Sequence, residues 1–474
     1  MQRPEPTPPS STSSEPTRRD LVLAMSGIAA TAVVVAFDST IVSTSLPQVA
    51  LALDGLSLYA WVGTGYFLAS AVSILIFGRL GDLYGRKPLM LCSLAIVVVA
   101  SVLSGLSQSM VQLIWFRVLQ GVGGGMLLAT AFAAPADLFP DPRRRVRWMV
   151  LTSSSFAVAS GLGPVIGGAV TEALGWRAAF LVTPLAALVG IYTTWRYFPW
   201  IKSTRSVAPR IDWLGSLTLV IAVGAPLAGI ELVSSSTDTT VQLWAVGLIA
   251  LGLAAGALLI PIERRAVTPI FPLRILQPRE ARLLNLAGLM SGAVMFILIY
   301  YLPLLLQDEF GFSPTYAGLL LTPFVAVMPL GSIVSGHLFA RQREPARLMI
   351  FGSLMLGTGC LLTLTFSATS PTWWIVLTMS LCGVGLGFLL PNFTLFMQML
   401  AEQRDVGVAS ALIQTTRALG SALGTALVGI AVAKISIAMG VRLGLVFCVL
   451  LCVLIGWVCS RIQMKNIGKS LGRP

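Results

Sequence analysis

The chain has 474 residues, 56% of them hydrophobic and only 11% charged, with a formal net charge of +13. That balance excludes an ordinary soluble core and places the chain in lipid. The surplus of Lys and Arg is broken into short groups between apolar runs of about 20 residues, a pattern of membrane topology rather than of nucleic-acid binding. The six cysteines, Cys92, Cys360, Cys382, Cys448, Cys452 and Cys459, lie in or at the ends of apolar runs. None has metal-ligand spacing with His or acids, so they read as small buried packing residues.

In chain order, residues 1–20 are rich in Pro, Ser, Thr and Glu and are expected to form a disordered cytoplasmic tail. The first apolar run, 21–46, holds Asp38 and opens a repeated pattern, so it is a membrane helix and not a cleaved signal. Runs at 59–78, 88–107, 111–135, 148–171 and 177–197 follow. Two more, 212–232 and 241–262, sit between basic stretches, and six others occupy 283–306, 316–340, 347–367, 374–397, 407–434 and 441–461. The expectation is an all-α polytopic membrane protein with fourteen transmembrane helices.

About 27 of the 32 Lys and Arg fall in segments on one side of these runs; that side is cytoplasmic, and both termini lie on it. The chain also repeats. Leu46-Pro47 and Leu302-Pro303 are each followed about thirty residues later by a Gly-x-Leu turn, intact at Gly78 and degraded to GHLFAR at Gly336. Arg177 and Arg442 open corresponding helices. The expected organisation is an N-terminal six-helix bundle over 21–198 and a linker over 199–282 carrying two inserted helices. A C-terminal six-helix bundle follows over 283–461, with a cytoplasmic tail over 462–474. Related halves of this kind commonly enclose a site at mid-membrane.

Residues 78–87, GRLGDLYGRK, are expected to form a tight cytoplasmic turn between two spans. Gly78, Asp82, Gly85, Arg86 and Lys87 fall where the signature loop of the major facilitator superfamily has them, and the stretch resembles that loop. The resemblance implies the superfamily's fold and a cytoplasmic gate that latches two halves in one state and releases them in the other.

Asp38, in FDSTIVSTSLP, is a carboxyl in hydrocarbon, which costs about 2.5–3.5 kcal/mol on insertion scales. It is a candidate proton carrier or substrate sensor, or else an acid paired permanently with a basic neighbour. Its surroundings resemble the first-helix signature of fourteen-helix drug/proton antiporters, with mild departures at Ser43 and Ser45. Arg117, in LIWFRVLQGVGGG, needs a partner or a wet cavity at its depth. Gln120 lies one turn on, and the following glycines permit close helix contact. This stretch resembles the superfamily motif whose arginine is linked to proton coupling. An electrostatic Arg117–Asp38 pair is the simplest picture, and a purely structural arginine is the other.

Gly161, Gly163, Pro164, Gly167 and Gly168 form GLGPVIGG. Pro164 removes a backbone hydrogen bond, and the glycines permit tight packing. The stretch resembles the motif shared by exporting antiporters, which implies an outward direction of transport. Secondary candidates are Arg417, lining a cavity or binding lipid headgroups; Glu231, a second proton site or an interfacial acid; Tyr300, a cavity aromatic; and His337, in the degraded turn. DWLG at Asp212, YLPLLLQ at Tyr301 and SPTYAG at Ser313 also fit the fourteen-helix branch.

The resemblance implies a proton-coupled antiporter that exports lipophilic or amphipathic small molecules across the cytoplasmic (inner) membrane. Its partners would be substrate, protons and membrane lipids, with no nucleic acid, no cofactor and no metal. The expected state is monomeric, with room for accessory efflux proteins. The alternatives are a dedicated exporter of one metabolite, lipid or siderophore, a proton-coupled importer, and a transport-dead receptor. No GxxxxGK[ST] loop and no nucleophile–base arrangement is recognisable, so neither ATP-driven transport nor an enzyme is expected.

Overall fold

The computed structural model describes residues 18–139, 142–200, 212–235, 238–266, 273–341, 346–401 and 406–462. Most of the two expected tails, and most of the basic segment 199–211, lie outside the described residues. Regular structure is helical throughout, with no strand among the described residues. The helices are α1 Arg18–Ala52, α2 Tyr59–Tyr84, α3 Arg86–Gly105, α4 Met110–Leu138, α5 Pro142–Leu174, α6 Trp176–Tyr197, α7 Trp213–Ser235 and α8 Thr239–Arg265. They continue with α9 Arg279–Leu304, α10 Pro314–Ala326, α11 Met328–Arg341, α12 Ala346–Thr363, α13 Thr372–Leu400, α14 Val406–Lys434 and α15 Ile437–Ser460. Twelve spans among the described residues are long and apolar enough to cross a membrane, against the fourteen expected; two further apolar stretches, Val158–Leu174 and Trp213–Pro226, are shorter.

Several boundaries differ from the sequence expectation for local reasons. The expected turn at 78–87 is mostly helix: α2 runs through Gly78 and Gly81 to Tyr84, and α3 begins at Arg86. Only Gly85 breaks the backbone, with φ 85° and ψ 154°, a region closed to other residues by their Cβ. The expected single span 316–340 is two helices, because Pro329 cannot donate to the residue one turn back. The basic stretch before the fifth span is helical from Pro142, which suits a first-turn position. α1 passes through Pro47 to Ala52, and π-helical residues Leu305–Glu309 extend α9. Asp212 caps α7, its Oδ1 accepting from Gly215 N at 2.7 Å, which explains the DWLG motif locally. Five of the six cysteines are buried as expected; Cys92 is exposed on α3.

Helix neighbours recur in two sets. α1 packs on α5 and α6, α2 and α3 on α4, and α3 on α6. In parallel, α9 packs on α14 and α15, α10 and α12 on α13, and α12 on α15. The sets meet along two seams, α2 with α14 and α5 with α10. α9 is the central helix, with 94% of its most apolar window buried, whereas α8 at 17% lies at the periphery and packs mainly on α7.

The α5 seam is built on missing side chains. A Cβ at Gly163 or Gly167 would collide with Thr40 and Ile41 of α1, and one at Gly168 with the carbonyl of Pro314 on α10. Gly168→Val should therefore destabilise the folded protein by about 1–3 kcal/mol through overpacking. Gly247→Val on α8, where a Cβ meets nothing within 4 Å, should leave melting unchanged. Thermal unfolding of both variants in detergent, followed by fluorescence, checks the difference; equal melting would contradict the seam.

Candidate functional site

The polar side chains inside the first set converge on Asp38. The hydroxyls around it on α1 are satisfied by their own helix, as in Thr40 Oγ1 donating to Ala36 O at 2.7 Å and Ser43 Oγ to Thr40 O at 2.6 Å. Asp38 itself has no such local outlet and is fully buried, as is Arg117 on α4. Arg117 Nη1 lies 3.8 Å from Asp38 Oδ1 and donates to Gln120 Oε1 at 2.9 Å. Gln120 Nε2 in turn donates to Asp38 Oδ1 and, at 3.1 Å, to Ser101 Oγ on α3. Gln120 thus bridges both charges, and Ser101 passes the chain on to Phe180 O on α6 at 2.8 Å.

The glycines after Gln120 set this geometry. Cβ atoms at Gly121 and Gly125 would strike the carbonyls of Tyr66 and Ser70 on α2, while Gly123 faces Val97 on α3. Their absence lets α2 come close enough to lay the Tyr66 ring over the Arg117 guanidinium, 4.3 Å from ring centroid to Cζ. The Tyr66 phenol interacts with the Asp38 carboxyl, yet neither Tyr66 Oη nor Asp38 Oδ2 completes a hydrogen bond of normal geometry. The carboxyl therefore keeps one unpartnered oxygen, the atom available to a proton.

The second set reaches the same site through Tyr300 of α9. Its Oη accepts from Arg117 Nη2 at 3.3 Å, and its carbonyl accepts from Tyr59 Oη at 3.0 Å. Its ring fits against Gly63, where a Cβ would lie 2.9 Å from Tyr300 Cε1. Phe67 packs against Phe296, tilted, with centroids 4.1 Å apart, and adjoins Tyr300. Thr64 and Thr425 share a hydroxyl bond of 3.0 Å, and Gln307 Nε2 donates to Thr44 O at 3.0 Å. The structure therefore brings together Asp38, Arg117, Gln120 and Tyr300. Tyr66, Ser101 and Tyr59 belong with them and carry no sequence signal beyond being polar atoms on apolar runs.

The other candidates lie apart from this group. Arg86 and Lys87 are buried at the start of α3, and Lys87 Nζ donates to Phe198 O at the end of α6 at 2.6 Å. That contact ties α3 to α6 within one set. Gly81 lies beside the Arg86 head group, where a Cβ would make only ordinary contact. The side chains of Asp82 and Glu231 lie outside the described residues. Gly161 and Gly168 face α10, Gly163 and Gly167 face α1, and Thr44 Oγ1 donates to Pro164 O at 3.0 Å. Arg417 is half-buried on α14. His337 is exposed, with Nδ1 2.8 Å from Ile333 O. An apolar cleft of about 360 Å³ between α1 and α5, lined by Val33, Phe37, Val158, Ala159 and Leu162 with Ser155, excludes the buried charges.

A polytopic helical bundle of two recurring helix sets, with an acid–arginine pair sealed in one and touched by the other, defines a membrane transporter. The chain belongs to the Major Facilitator Superfamily, whose sequence profile matches residues 28–425. It is 30% identical over 83% of its length to Multidrug resistance protein 3 of Bacillus subtilis, covering 76% of that protein. It is 30% identical over 83% of its length to Multidrug resistance protein Stp of Mycobacterium tuberculosis, covering 72% of it. The Methylenomycin A resistance protein of Streptomyces coelicolor is 29% identical over 87% of this chain and 86% of its own. The protein is thus a transporter and not an enzyme.

Removing one member of a buried ion pair strands the other charge, at about 3–5 kcal/mol. Arg117→Gln should lower the melting temperature more than the double variant Asp38→Asn/Arg117→Gln does. If the single variant proves no less stable than the double one, the two charges do not stabilise each other.

Proposed function

We propose that the protein is a proton-coupled antiporter that exports lipophilic or amphipathic small molecules by alternating access. The observation that carries the reading is Asp38: a buried carboxyl with one unpartnered oxygen, held beside Arg117 and touched from the second helix set through Tyr300. Protonation of Asp38 removes the charge attraction that holds Arg117, lets the guanidinium shift, and so changes what Tyr300 meets. The proton is the energy source, and Asp38 and Arg117 are the coupling residues, with Gln120 bridging them.

The two sets correspond to an N-terminal bundle over 21–198 and a C-terminal bundle over 283–461, with α7 and α8 inserted between them. Counting the two shorter apolar stretches as spans gives fourteen, with both termini in the cytoplasm of a cell whose inner membrane holds the protein. Gly78, Asp82, Gly85, Arg86 and Lys87 form the cytoplasmic gate, and Gly161, Gly163, Pro164, Gly167 and Gly168 the seam that favours export. The names of the relatives, multidrug resistance proteins among them, support a drug-like cargo. The relative named for resistance to one antibiotic favours, as a second reading, a dedicated exporter of a single metabolite. In either case the transporter works as a monomer with lipid around it.

Asp38→Asn should abolish gradient-driven substrate uptake into inverted membrane vesicles while the protein stays inserted and folded, melting at a lower temperature because Arg117 loses its partner. Undiminished uptake by this variant, still sensitive to a protonophore, would refute the coupling role. Asp82→Ala should slow the transport cycle without weakening equilibrium substrate binding in detergent; lost binding by folded protein would place that residue in the substrate site instead.

A further inference from the structure

α14 carries a polar stripe at Ser410, Gln414, Arg417, Ser421 and Thr425, spaced three and four apart and so on one face of the helix. The stripe runs between the edge of α14 that packs on α9 and the edge that packs on α2. Ser421 Oγ donates to Gly292 O of α9 at 3.3 Å, and Thr425 Oγ1 bonds Thr64 of α2. Arg417 sits mid-stripe. Its stem lies against Gly292, where a Cβ would be 2.9 Å from Arg417 Cγ. Among the described residues its guanidinium makes no hydrogen bond and no ion pair. One turn earlier, Gln414 has its amide oxygen buried without a hydrogen-bond partner. On the facing helix, Phe296 follows Gly292 by one turn and packs, tilted, against Phe67. Tyr300 follows one turn further, and Gly292 and Tyr300 are about 12 Å apart along the helix axis at 1.5 Å per residue.

A charge in hydrocarbon persists only when it is paired or wetted, and unpartnered donors beside an apolar surface select ligands that bring the missing acceptor. We propose that Arg417 is the receptor for an anionic oxygen group, and that the cargo includes amphipathic organic anions: a carboxylate seated on Arg417, with the apolar body toward Phe296 and Phe67. Arg417 holds the anion by charge-assisted hydrogen bonds. The inference deepens the export reading and rests on it for the word cargo. The same anionic chemistry could be met by a phospholipid headgroup, so the test separates the two sources.

The probe is 11-(dansylamino)undecanoate and its methyl ester, bound at neutral pH to full-length protein purified in neutral detergent and followed by dansyl fluorescence. The acid should bind at least about tenfold more tightly than the ester, ~1.4 kcal/mol. Arg417→Gln should erase that preference, and Arg417→Lys should keep most of it. The acid–ester comparison on the unaltered protein preserves the test if Arg417→Gln does not fold. Equal affinity for acid and ester, or a preference that survives Arg417→Gln, overturns the proposal. Loss of the acid preference on adding phosphatidylglycerol, but not phosphatidylcholine, makes Arg417 a lipid site and also overturns it. No gradient enters the measurement, so a failure here leaves proton coupling standing, and a failure of coupling at Asp38 leaves this result standing.

Discussion

The structure depends on the requirement that two opposite charges stay together where there is no water to receive them. Asp38 and Arg117 are fully buried, and a carboxylate or a guanidinium alone at that depth would be unstable by several kcal/mol. Their direct approach, at 3.8 Å, is not that of a tight bidentate pair. The gap is filled by Gln120, which accepts from one charge and donates to the other. Such a bridge holds both charges without locking them, so the attraction can be lowered by a single proton while the helices stay packed. A short two-point salt bridge would resist that change.

Everything that brings these groups together is an absence of side chain somewhere else. α2 reaches α4 over Gly121 and Gly125, α5 reaches α1 over Gly163 and Gly167, and α10 reaches α5 over Gly168. In lipid, helices gain little from hiding apolar surface from one another, so close backbone approach and dispersion carry the packing. Glycine seams are also smooth. The α5–α10 seam between the helix sets can therefore slide or part with less interlocking than bulky side chains would impose.

The parts legible in the sequence were those written in charge and in glycine. Asp38, Arg117 and Gln120 stand out because polar groups are rare in runs this apolar, and the structure does bring all three into contact. The helices themselves were legible by length. Their ends were not: the turn at 78–87 proved nearly all helix, since charged residues at a membrane face are compatible with either state and only Gly85 has a backbone that decides. Pro329 breaks the helix inside the span Pro314–Leu338 without dividing the span itself. The aromatic partners were hidden for another reason. Tyr66, Tyr59 and Phe67 are ordinary members of an apolar helix until α9 is placed beside them, and contacts between residues more than 200 apart in the chain, such as Tyr59 with Tyr300, leave no local trace.

The two arginines raise a question of charge balance that bears on the cycle. An anion on Arg417 and a proton on Asp38 would, by electrostatics alone, help each other bind, because each makes the chamber more favourable to the other. Exchange of the two in opposite directions therefore requires that they occupy different conformations, not that they compete for one place. Tyr300 is the group positioned to enforce this. It receives its hydrogen bond from Arg117, on the proton side, and shares a helix face with Gly292, on which Arg417 rests. If Asp38 takes up a proton, a shift of Arg117 would be felt by α9, and a shift of α9 would move the seat of Arg417. Outward movement of a monovalent anion with inward movement of one proton carries two positive charges inward, so the membrane potential would drive each cycle by about 4.6 kcal/mol per 100 mV, in addition to the pH gradient. A transporter with that arithmetic would keep exporting anions when the pH gradient collapses, as long as the potential holds.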